Sequence, residues 1–160
     1  MKKYLLPFGM LLLLLACSEP ATFDESVERA KIIALHQAQR DYHFNKDSIA
    51  FVNQFSDNFI SVNKGVISHP KKAESVARFH QYFSSVEFLQ WDDVTEPIIR
   101  FSADRSLAYT IVDKIVTVNY PDENGNPYKS ETHFAWTAIY KKYDGEWKID
   151  CVTSTERPAL

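Results

Sequence analysis

The hydrophobic pattern of the chain changes period once, near residue 86. Before that point apolar residues recur every three to four positions; after it they come in long runs rich in β-branched and aromatic side chains. Over residues 25–44, Val27, Ala30, Ala34, Ala38 and Tyr42 fall at helical spacing with Leu35 beside them. This predicts a helix whose stripe of small residues packs closely on a sheet. Asn45-Lys46-Asp47 breaks the pattern, and Asp47 is placed to cap a second helix over 48–55 with Ile49, Val52 and Phe55 on one face. Residues 59–62 predict a short strand, followed by a tight turn at Lys64-Gly65. His69-Pro70 predicts the start of a third helix, with proline at its first position and Ala73, Val76, Ala77, His80 and Phe83 as its apolar stripe.

Strands are predicted over 86–101, 107–120, 128–143 and 146–155, with Ala103-Asp104-Arg105, residues 121–127 and Asp144-Gly145 as the turns between them. Helices first and a run of hairpins afterwards predict an α+β domain with an antiparallel sheet.

The first residues follow a different logic. Met1-Lys2-Lys3 is a small basic region, and the apolar run over 4–16 is too short for a membrane span but the right length for the core of an export signal. It closes on Leu14-Leu15-Ala16-Cys17, which resembles the lipobox of bacterial lipoproteins. The resemblance implies cleavage before Cys17 and lipid on its thiol. The expected organisation is a signal peptide over 1–16, a lipidated polar tether over 17–24 and one domain over 25–157, anchored by lipid in the bacterial cell envelope. Each buried CH₂ contributes about 0.8 kcal/mol, so two or three acyl chains hold a protein firmly to a membrane.

Cleavage would leave 16 basic residues against 21 acidic ones, a net charge of −5. A mildly acidic domain of this kind lacks the basic face that nucleic-acid binding needs. With Cys17 committed to lipid, Cys151 has no intramolecular partner, and its apolar surroundings make it a small buried hydrophobe. The fold must then stand without disulfides, with aromatic residues supplying much of the core.

The order of parts resembles the NTF2-like superfamily, and most of all its SnoaL-like branch. The residues that carry the likeness are Asn45-Lys46-Asp47, the stretch Phe55-Ser56-Asp57-Asn58-Phe59, and above all Tyr140-Lys141-Lys142-Tyr143-Asp144-Gly145-Glu146-Trp147-Lys148-Ile149, an aromatic strand, a tight turn and Trp-x-Ile. The resemblance covers roughly residues 25–155. It implies a curved antiparallel sheet wrapped around the N-terminal helices, a cone with a cavity at its open end. Its motifs are structural, so it speaks for a fold more than for an activity.

The isomerases of this fold use a carboxylate base, a tyrosine and a protonated aspartic acid. Carried onto this chain, the base position falls on Asn63, the tyrosine on Gln39 and the acid on Trp136 or Thr137; none keeps the required chemistry. A dehydratase-like site needs a histidine–aspartate pair, for which His133 with Asp113, or His80 with Asp150, are the candidates. The bland alternative makes His80 a core residue and Asp113 the partner of an outer lysine. His36 and His43 share a helix face and are expected to be solvated; no spacing points to a metal or to another cofactor. No Gly-x-Ser-x-Gly elbow or phosphate-cradling glycine loop occurs.

Alternation along the third long strand puts Phe134, Trp136 and Tyr140 on one face and His133 and Thr137 on the other; one set lines the cone, and outward aromatics would favour a homodimer. Asn63, Gln39, Thr137 and Trp91 are the expected pocket residues. Two functions remain open. The first is a non-catalytic module that binds a small apolar ligand or an interaction partner. The second is a small-molecule enzyme of dehydratase, isomerase or cyclase type using His133, Asp113 or His80.

Overall fold

Residues 23–157 are described by the structure, a computed structural model. The leader, Cys17 and all but the end of the tether lie outside the described residues. The helices are α1 (Glu25–Phe44), α2 (Ser48–Asn53) and α3 (Lys72–Ser85). The strands are β1 (Phe55–Asn63), β2 (Val66–Ser68), β3 (Glu87–Asp93), β4 (Ile98–Phe101), β5 (Leu107–Pro121), β6 (Pro127–Tyr143) and β7 (Glu146–Glu156).

Side-chain caps set where the first helices begin. Asp24 accepts from the backbone N–H of Ser26 at 2.9 Å and of Val27 at 3.3 Å, and Asp47 accepts from that of Ala50 at 2.8 Å. The third helix begins at Lys72, not at Pro70, and the Glu74 carboxylate holds the Lys71 N–H at 3.0 Å. Lys64-Gly65 and Asp144-Gly145 each join two strands through a pair of positive-φ residues, the two-residue hairpin turn whose twist matches the strands.

The strands form one sheet in the order β2-β1-β7-β6-β5-β3, with β4 also on β5. The sheet is mixed rather than antiparallel throughout, because β1 runs parallel to β7. Hydrophobic period does not carry that long-range pairing. The expected strand over 86–101 is two, β3 and β4, which share one edge of β5. Pro97 lies in the break and has no N–H to give to a ladder. Irregular registers in the β1–β7, β3–β5 and β6–β7 pairs bend the sheet around α1. The predicted strand at 59–62 extends back to Phe55, which shortens the second helix.

The buried face of α1 is not the alanine stripe. Glu28, Ile32, His36, Gln39 and His43 are buried, while Val27, Ala30 and Ala34 are exposed. His36 and His43 are therefore core residues, not solvated ones. Polar side chains won these positions because each has a partner inside. Elsewhere the core is aromatic and aliphatic: Ile32, Val52, Phe83, Tyr140 and Ile149 are 0–2% exposed. Phe83 packs edge-on to Phe88 at 5.8 Å between centroids, and aromatic pairs of this kind add about 0.5–1.5 kcal/mol beyond burial. Cys151 is only half-buried; it pairs with exposed Ile139.

Candidate functional site

A cavity of about 320 Å³ opens between α1, α2, α3 and the concave face of the sheet. That is the low end of the range for small-molecule sites. Helix α1 contributes Gln39 and His43, and α3 contributes Arg78, Phe79 and Tyr82. The strands add Phe55, Phe59 and Asn63 from β1, Trp91 from β3, Phe134, Trp136 and Ala138 from β6, and Val152 and Ser154 from β7. The walls are aromatic, and no carboxylate lines them.

His43 is the buried titratable group of this cavity. Its ring stacks on Trp91 at 4.6 Å and meets Phe51 and Phe88 edge-on at 5.0 and 5.2 Å. Nδ1 donates to the Gln39 carbonyl oxygen at 2.6 Å. A carbonyl only accepts, so Nδ1 carries the proton and Nε2 is left as an acceptor. Burial, helped by the nearby Lys114 charge and opposed by the Gln39 bond, holds this imidazole down at about 4. It is neutral at pH 7.

Behind Trp91 lies a second polar group. The Lys114 side chain is buried, its Nζ 2.7 Å from Asp93 and 3.5 Å from the centre of the Trp91 ring. His36 Nε2 reaches the other Asp93 oxygen at 2.9 Å. Burial would raise the Asp93 carboxyl, but the His36 and Lys114 bonds outweigh it and hold it below its usual range. Burial pulls the Lys114 ammonium down against the pull of Asp93. This cluster seats Trp91 and does not line the cavity.

The opposite end of α1 is closed by charge. Glu28 accepts from Trp147 Nε1 at 2.6 Å and pairs with Lys142 at 2.8 Å and Lys31 at 2.9 Å. Burial alone would raise its carboxyl, but these donors hold it at about 2.

The residues singled out in the sequence divide sharply. Gln39, Asn63 and Trp91 line the cavity; Thr137 does not, because it points to the convex face with its partners Ile111 and Thr153. His133 and Asp113 lie near each other on the same convex side, outside the cone. They make no mutual hydrogen bond; His133 is 3.6 Å from Glu131. His80 is exposed on α3, beside an open groove with Ile49 and Val76. Asp150 is held by the hydroxyls of Ser56 and Tyr143, far from a role with His80. The expected His/Asp pair therefore does not form in the cavity. Phe134 and Trp136 are the set that faces inward. His43 and Arg78 were not anticipated. Reading 36, 39 and 43 as one helical face, with polar residues admitted to the core, would have found His43. Among the described residues no group of three or more His, Cys, Asp or Glu is placed to hold a metal ion, and no helix is long and apolar enough to cross a membrane.

Solved structures share this architecture. An NTF2-like protein from Cytophaga hutchinsonii superposes with a TM-score of 0.64 at 16% identity, over 80% of this chain and 97% of that one. The fold is NTF2-like. A ketosteroid isomerase-like protein from Erwinia carotovora atroseptica matches with a TM-score of 0.63 at 17% identity, over 86% of this chain and all of that one. A putative Ca/calmodulin-dependent kinase II association domain from Exiguobacterium sibiricum matches with a TM-score of 0.67 at 10% identity, over 87% of this chain and all of that one. At these identities the likeness establishes the NTF2-like fold alone. No family model matches the chain. A Drosophila melanogaster protein, Coiled-coil and C2 domain-containing protein 1-like, is 25% identical over 130 residues, 76% of this chain; the chain spans 16% of that protein's length.

Proposed function

We propose that the chain is an envelope lipoprotein whose NTF2-like domain binds a small apolar molecule in the cone cavity without transforming it. The observation that carries this reading is the cavity lining: aromatic walls, a neutral His43 at the inner end and no carboxylate. A carbonyl-enolising or dehydrating site needs a base with an acid or a charged partner beside it. The enzyme alternative is left without the histidine–aspartate pair proposed for it, since His133, Asp113 and His80 lie elsewhere.

The test uses the chain from Ser18 onward, which carries the ten elements found among the described residues. N-phenylnaphthylamine, a neutral aromatic probe, is expected to bind with one saturable site and a blue-shifted emission. Filling the cavity with Ala138→Phe should abolish the signal while the circular dichroism spectrum is kept. Binding that survives the filled cavity would sink the proposal.

The anchor rests on the apolar leader and Leu14-Leu15-Ala16-Cys17. Palmitate labelling that disappears in Cys17→Ser is the expected result. We also propose a homodimer through the convex face, where Ile98 pairs with Ile111, and Tyr109 with Ile139, all four exposed. Sedimentation should show a dimer that Ile111→Glu splits.

A further inference from the structure

The cavity is apolar along its walls, but its rim carries one cation. Arg78 lines it from α3, exposed, with its guanidinium 4.9 Å from the centre of the Phe79 ring. The acidic residue one turn earlier on the helix is Glu74, whose carboxylate turns to the helix start and accepts from the Lys71 N–H at 3.0 Å. Among the described residues Arg78 belongs to no ion pair. Across the lining, Ser61 and Asn63 from β1 and Ser154 from β7 add small polar groups, with Asn63 and Ser154 in register on adjacent strands.

An arginine resting on an aromatic ring keeps its planar fork pre-organised, and the fork matches a carboxylate, sulfonate or phosphate. With no acidic side chain in the lining, nothing there competes with an incoming anion. A wholly apolar ligand would leave this cation with water only.

We infer that the cavity selects apolar or aromatic molecules carrying a single anionic group, the apolar body lying among Phe79, Trp91 and Trp136 and the anion held by Arg78 at the rim. The inference rests on the binding function proposed above and adds the ligand class.

Two probes differing by one sulfonate separate the two ideas. Anilinonaphthalenesulfonate carries the anion and N-phenylnaphthylamine lacks it. Fluorescence titrations of the chain from Ser18 onward should show the sulfonate binding about tenfold tighter, the size of one charge-assisted contact. Arg78→Gln should collapse the ratio of the two affinities towards one, and Arg78→Lys should restore part of it. Ala138→Phe should remove both signals, which excludes surface binding of the dyes. If both probes bind wild type and Arg78→Gln leaves their ratio unchanged, the anion preference is overturned while the pocket stands. If neither probe binds wild type, the pocket reading falls first and this inference with it.

Discussion

Glu28 and His43 sit near opposite ends of one helix and are almost equally buried, at 8% and 6% exposed, yet their surroundings act on them in opposite senses. Both are pulled to low pKa, Glu28 to about 2 and His43 to about 4. For the carboxyl this means a charge kept; for the imidazole it means a charge expelled. Two lysines and an indole N–H surround the first, and aromatic rings surround the second. One end of the cone is a satisfied ionic plug. The other sets a neutral imidazole among aromatic walls beside an open cavity, the kind of lining a small-molecule site uses.

The largest test of this contrast is truncation at the closed end. Glu28→Ala strips the partners from Lys142 and the buried Trp147 N–H, and removing one side of a buried pair costs about 3–5 kcal/mol. Asn63→Ala at the open rim touches an exposed side chain and should cost under about 0.5 kcal/mol. Urea denaturation compares the two directly. Equal losses would erase the distinction between plug and pocket.

Acid should separate the two ends by pH. The folded imidazole of His43 titrates near 4 and an ordinary one at 6.5, so between those values the unfolded chain binds more protons and stability rises with pH. Stability is therefore full above 6.5 and falls, by up to about 3 kcal/mol, as pH drops towards 4. Glu28 adds a second loss, beginning below the ordinary value of 4.5 and running down towards 2. His43→Phe should flatten the upper window and leave the lower one. A variant that flattens both would mean that the two ends unfold as one electrostatic unit.

The same contrast explains what the sequence made legible. Period, one cap and two-residue turns marked nearly every element, because those are local signals: Asp47, Lys64-Gly65 and Asp144-Gly145 act within a few residues of themselves. The parallel pairing of β1 with β7 depends on partners far along the chain, whereas the split of β3 from β4 falls at Pro97, a local breaker that the expected strand over 86–101 ran through. The inner face of α1 was misplaced for a physical reason. A hydrophobic stripe identifies a core face only when the core is hydrophobic, and here Glu28, His36, Gln39 and His43 are buried with partners from β3, β6, β7 and α1 itself. Asn63 and Gln39 reached the cavity through the family likeness, whereas Arg78 had no signal beyond being a charge on a helix.

The smallest effect tests whether the open end is as isolated from charge as its aromatic walls suggest. Each end has its lysine. Lys142 touches Glu28 directly at 2.8 Å, whereas Lys114 meets His43 only through Trp91, on which both pack. The Lys114 charge is a minor cause of the low His43 pKa, after burial. Lys114→Met removes that repulsion and leaves the Asp93 carboxylate less balanced, with His36 its remaining partner. Both changes favour the imidazolium, so the His43 titration should move upward, by less than about one pH unit because burial still dominates. The imidazole resonances followed by NMR read this shift without reference to stability. An unmoved titration would mean that the indole and its neighbours screen the lysine completely, and the acidity of His43 would then belong to burial alone.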